Sequence, residues 1–114
     1  MAVAQHNGCD YCLAAHSYIG KHVAKLADTE IDAARGGTSA DPRADAATRF
    51  ALSVARNRGN VDGAELAAVR AAGFGDDAIL EIVVNVALNV LTNYVNTVAQ
   101  TEVDFPAARQ RKAA

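Results

Sequence analysis

From Asp76 to about Gln100 the chain offers almost no polar face: Ile79, Leu80, Ile82, Val83, Val84, Val86, Leu88, Val90 and Leu91 follow with few breaks. Neither a two-residue alternation nor a turn interrupts the run, so its β-branched residues read as one long helix and not as strands. A helix that is apolar around most of its circumference needs cover on more than one side. A chain of 114 residues, with only 5% aromatic residues and abundant alanine, has little bulk to supply that cover. Alanine-faced helices approach closely but bury little area each, so further burial by self-association is expected. Within the same helix Asn85, Asn89 and Asn93 recur at four-residue steps, and Asn96 follows three later. This amide stripe reads as a solvent-facing or interhelix hydrogen-bonding seam, with the lining of a pocket as the alternative.

The rest of the chain reads as shorter, capped helices. Met1 to His6 is the end of a helix stopped by Asn7-Gly8, and a second helix starts near Cys9. From Cys12 onward that helix carries Ala15, Ile19, Val23 and Leu26 as an apolar stripe, which puts Cys12 and His16 inward and Lys21, His22 and Lys25 outward. Thr29 is expected to cap a short helix that stops at Gly36-Gly37, with a loop to Ala40. Asp41-Pro42 supplies an N-cap and a first helical position, opening a helix to about Arg58 with Ala47, Phe50, Ala51 and Val54 on one face. Gly59-Asn60 breaks it. Asp62 and Glu65 form a capping-box pattern, Val61 and Leu66 a hydrophobic staple, and Ala72-Gly73 with Phe74 closes that helix. The expected fold is all-α, one domain of about five to six helices.

Reactive side chains concentrate in the run Asn-Gly-Cys-Asp-Tyr-Cys-Leu-Ala-Ala-His, which contains Cys9, Cys12 and His16. Cysteines at this spacing can close a short disulfide. His16 lies four positions past Cys12, where helical side chains meet and an imidazole can take the thiol proton. Cys9 falls at the amino-terminal end of the helix, where unpaired N–H groups and the macrodipole favour a thiolate. Thiol pKa values fall from about 8.5 to roughly 3.5–7.5 in such settings. Two plainer readings compete with a redox pair. A structural zinc site would want a fourth ligand, for which His6 is near enough in sequence, and two buried cysteines can pack simply as small hydrophobes.

A net charge of −2 with 11 basic residues gives no electrostatic case for nucleic acid, and Arg109, Arg111 and Lys112 read as a solvated tail. No leader pattern opens the chain, and no uninterrupted apolar run reaches the roughly 20 residues that span a bilayer. No membrane partner is expected, and the expected compartment is the cytosol. Thiols there stay mostly reduced, so a CxxC pair is catalytic or metal-binding more often than a structural staple.

The chain resembles the AhpD-like alkylhydroperoxidase branch of the carboxymuconolactone decarboxylase superfamily. The resemblance is carried by Cys9-Asp-Tyr-Cys12-Leu-Ala-Ala-His16, by Asp41 to Phe50 followed by a helix, by Ala71-Ala-Gly-Phe74, and by the long terminal helix ending before Val103-Asp-Phe-Pro106. It implies a domain over residues 1–106, without the family's amino-terminal helices, followed by a polar tail at 107–114. It also implies an all-helical homo-oligomer, commonly a trimer or hexamer, that reduces hydroperoxides through its two cysteines. No bound cofactor or metal is expected.

Carried over, the resemblance makes Cys9 and Cys12 the redox pair and His16 part of a proton relay. His16 one turn away favours Cys12 as the attacking thiolate and Cys9 as the resolving thiol, while the helix-end argument favours Cys9, and a neighbouring pair titrates as a unit. An external thiol or dithiol must then reset the enzyme. Two positions depart from the family pattern. The glutamate that orients the histidine would lie ahead of Met1, leaving Glu81 or Glu102 as substitutes, and Tyr11 stands where the best-known peroxidases place a histidine. The other readings are a dithiol–disulfide oxidoreductase or redox sensor with weak peroxidase activity, and a non-redox helical assembly module that could hold zinc.

Overall fold

A computed structural model describes residues 1–108. Arg109, Arg111 and Lys112, and with them most of the expected tail, lie outside the described residues. Those described form six helices and no strand: α1 (Ala2–Asn7), α2 (Asp10–His22), α3 (Asp28–Arg35), α4 (Pro42–Arg56), α5 (Gly63–Ala71) and α6 (Asp76–Val98). The all-helical expectation holds.

Local capping chemistry sets most of the boundaries. The Asp41 carboxylate accepts the Ala44 N–H at 2.7 Å and Pro42 follows it, so α4 begins where its missing donor costs nothing. Asp62 and Glu65 form the reciprocal capping box at the start of α5, and Glu65 also accepts the Ser53 hydroxyl, tying α5 to α4. α3 departs from expectation. It begins one residue before Thr29, its N-cap is Ala27, and no side chain caps it. Asp28 and Glu30 instead place carboxylates in its first turn, where the macrodipole favours them, and Asp28 pairs with Lys21 of α2 at 2.9 Å.

Helices α1, α4 and α6 pack against one another, α2 lies across α1, α3 and α6, and α5 covers α4. The core joins Val3 of α1, Phe50 and Val54 of α4, Val69 of α5, and Ile79 and Val86 of α6. Val61, Leu66 and Phe74 border it, as the expected staple and cap contact require. Arg35 is buried on the far side of α1, where its Nε and Nη2 donate to Gln5 Oε1 at 3.1 and 3.0 Å. That pair holds α3 to α1 by a charged donor on a neutral acceptor.

Two apolar faces lie elsewhere than the sequence suggests. On α2 the buried residues are Cys12, Leu13, Ala14 and Gly20, whereas Ile19 and Val23 are exposed, because the helix ends at His22 and packs on α1 and α6 by a neighbouring face. On α6 only Ile79, Val86 and Asn93 are buried, and Leu80, Val84, Leu88, Leu91, Tyr94, Val95 and Val98 are all more than half exposed. Burial on more than one side is therefore not achieved among the described residues. At mean hydropathy 1.6 over an 18-residue window, α6 is also long and apolar enough to cross a membrane by length and composition alone, although Asn85, Asn89 and Asn93 interrupt its apolar run.

Gly37 closes the turn after α3 with φ +82°, and a Cβ there would overlap the buried Leu52 side chain of α4. Gly37→Ala combines left-handed strain with overpacking and is expected to destabilise the fold by roughly 2–4 kcal/mol. Urea denaturation measures this, and a loss below about 1 kcal/mol would show that Leu52 moves aside freely.

Candidate functional site

The cysteine pair is positioned by the turn between α1 and α2. Gly8 adopts the left-handed conformation that ends α1, and the Cys9 N–H reaches back to the Ala4 carbonyl at 3.1 Å. Cys9 is then the N-cap of α2. Its carbonyl accepts the Leu13 N–H at 2.9 Å, and its Sγ accepts the Cys12 N–H at 3.2 Å. A sulphur thus takes the place usually held by a serine or aspartate oxygen. Both thiols are free and buried, in a small cluster with Ala4 and Leu13 that Tyr11 and Ala108 flank.

Burial pushes the Cys9 thiol above its ordinary value, and the adjacent Cys12 thiol acts in the same direction. The Cys12 N–H and the Thr97 hydroxyl oppose this without reversing it. The helix-end argument for a low Cys9 value therefore loses to desolvation. His16 is half-buried one turn beyond Cys12 on α2, and burial, then the positive charge at the amino terminus, holds its imidazole below the ordinary value. Its Nδ1 is buried and has no hydrogen-bond partner among the described residues. Glu81 and Glu102 are both exposed, and neither is bonded to it.

Helix α6 supplies what the sequence reading did not assign. Asn96 Nδ2 lies 3.4 Å from Cys12 Sγ, and fully buried Asn93 accepts from Asn7 Nδ2 at 2.9 Å. The amide stripe is thus split. Asn85 is exposed and donates to the Glu81 carbonyl, whereas Asn93 and Asn96 reach the cysteine end of the molecule. A cavity of about 250 Å³ opens over Cys9, bordered by Tyr11, Asn96, Thr97, Gln100 and Thr101. Val103, beyond α6, completes that lining, and further along the same segment the Phe105 ring packs edge-on to Tyr11 at 5.8 Å and against Tyr18 at 5.6 Å. The recurrent asparagines were the available sequence signal for this lining.

His6 is exposed, and no group of three His, Cys, Asp or Glu side chains that could hold a metal ion occurs among the described residues. What the site offers chemically is two adjacent thiols, a neutral imidazole one turn away, and an amide donor against one sulphur. Compared with known proteins, the chain matches no family model and no curated protein.

The depressed His16 value has a consequence for stability. Unfolded, the imidazole titrates near 6.5, so between that value and the lower folded one the unfolded chain holds the extra proton. The stability tied to neutral His16 is complete above about pH 6.5 and is lost as pH falls through the folded value. The Asp45 carboxylate, held below the usual range by its hydrogen bond from Arg49 at 2.6 Å, titrates lower and stays out of this window. The urea midpoint should fall between about pH 7.5 and pH 5, and less steeply in His16→Gln. Equal falls in the two proteins would exclude His16 as the group.

Proposed function

We propose that the chain is an AhpD-like thiol peroxidase that reduces hydroperoxides through a Cys9–Cys12 dithiol cycle, with His16 as proton carrier. The observation that carries the reading is the joining of both sulphurs to one helical turn, with the Cys12 N–H on Cys9 Sγ at 3.2 Å and His16 a turn further on. In the cycle, neutral His16 takes the Cys12 proton and the thiolate attacks one peroxide oxygen. The O–O bond breaks, the alkoxide leaves as alcohol with the proton that His16 returns, and Cys12 becomes a sulfenic acid. The Cys9 thiol then attacks that sulphur, forming the disulfide and releasing water. An external dithiol restores both thiols and is itself oxidised to a disulfide. Burial raises the Cys9 thiol and so disfavours it as the first nucleophile, leaving it the resolving role, in which it gives up its proton as the sulfenic oxygen departs as water.

A second reading, a dithiol–disulfide oxidoreductase or redox sensor with weak peroxidase activity, is favoured by the unpartnered His16 Nδ1. An imidazole that no carboxylate orients is a weaker relay. Purified protein given one equivalent of hydroperoxide should lose both thiols and the mass of two hydrogens. In Cys12→Ser, peroxide consumption and disulfide formation should vanish together. Thiols that stay free would reject both readings, and disulfide formation without turnover in the presence of an external dithiol would select the second.

The same reading makes the protein a cytosolic homo-oligomer, a trimer or hexamer. Its support is the exposed seam of α6, where Leu80, Val84, Ala87, Leu91, Tyr94 and Val98 alternate at four- and three-residue steps. That is the spacing by which helices interlock side by side. Leu91→Glu should therefore reduce the mass seen by light scattering to that of one chain. A single-chain mass in the unmodified protein would overturn the assembly.

A further inference from the structure

We propose that Asn96 is a catalytic residue, whose side-chain amide donates the hydrogen bond that holds negative charge on the Cys12 sulphur. The inference rests on the redox reading of the two cysteines, although it concerns the ionised sulphur and not the oxidant. Three contacts fix the amide. Its Nδ2 lies 2.9 Å from the Thr92 carbonyl, which can only accept, and this identifies the nitrogen end. Its Oδ1 accepts the Thr101 hydroxyl at 2.8 Å. One N–H is left over, and the atom in its reach is Cys12 Sγ, 3.4 Å from the nitrogen.

A thiol sulphur accepts hydrogen bonds poorly, whereas a thiolate accepts them well, so a fixed donor favours the charged form selectively. Cys12 is 5% exposed, and water competes little for that bond. The amide also borders the cavity over Cys9, so one side chain touches both the buried Cys12 sulphur and the opening beside its partner thiol. Asn85 and Asn89 use the same helical back-bond to the carbonyl four residues earlier, but only Asn96 has a sulphur to meet its second N–H. His16 and Asn96 thereby divide the work: one carries the proton away, and the other stabilises what remains.

The test is the rate of Cys12 alkylation by iodoacetamide in a Cys9→Ser background, where serine keeps the helix cap and Cys12 is the sole thiol. At about pH 7, Asn96→Ala should slow alkylation about tenfold, as loss of one charge-assisted hydrogen bond implies, with the rate restored at strongly alkaline pH. Asn96→Asp keeps the amide's shape and sets a carboxylate oxygen against the sulphur, so it should slow the reaction further at neutral pH. Circular dichroism melting identifies a variant that fails to fold, in which case the other decides. Unchanged neutral rates, or slowing of equal size at both pH values, would overturn the role of Asn96. Hydroperoxide treatment of the unmodified protein is a separate arm: thiols that survive it reject the redox reading, and the alkylation rates still decide whether Asn96 stabilises the thiolate.

Discussion

The molecule depends on how α6 is held. Ile79 and Val86, seven residues apart and so on one face, enter the core made by Val3, Phe50, Val54 and Val69. Fully burying side chains of this kind contributes about 1.5–3 kcal/mol each, enough to fix the helix although most of its surface stays outside. Because α1 and α4 grip the same face, the register of α6 along α1 is set. That register carries Asn93 to Asn7 and, a turn later, Asn96 to Cys12. The apolar packing at one end of the helix thus decides where its polar groups fall at the other.

The dithiol site is accordingly a junction. Its sulphurs come from one local turn, pinned backward to α1 through the Cys9 N–H and forward into α2 through the Cys9 sulphur and carbonyl. Its surroundings come from more than 80 residues away: Asn96 and Thr97 from α6, then Phe105 and Ala108 from the segment beyond it. Such an arrangement separates reactivity from control, because the nucleophiles sit in a rigid turn while the groups that tune them belong to a helix that could be altered independently.

Much of the fold was legible in the sequence because its signals act over four residues or fewer. Asn7-Gly8, Asp41-Pro42 and the Asp62–Glu65 pair each complete their own hydrogen bonds, so the pattern implies the boundary. Thr29 misled for the same reason in reverse, since a good capping residue goes unused when the helix starts with acidic residues just before it. What was not legible depended on distant packing. The buried side of α2 is chosen by its contacts with α1 and α6, which leave Ile19 and Val23 outside despite their apolar spacing. For the site, Cys9, Cys12 and His16 were readable from a run of residues, whereas the asparagine spacing suggested a lining but could not name Cys12, 84 positions away, as the partner of Asn96. The ionisation of Cys9 also escaped, since a helix-end rule is local whereas the burial that outweighs it is contributed by the whole fold.

One detail of the cysteine turn couples chemistry to shape. The cap of α2 is a sulphur lone pair receiving the Cys12 N–H, so the reactive atom of Cys9 is also the group that starts the helix. Chemistry at Cys9 therefore acts on the very atom that receives an N–H from the first turn of α2. Tyr11 stands in that turn and carries the Phe105 ring. One atom thus serves both as a reactive centre and as part of the scaffold that seats the segment beyond α6.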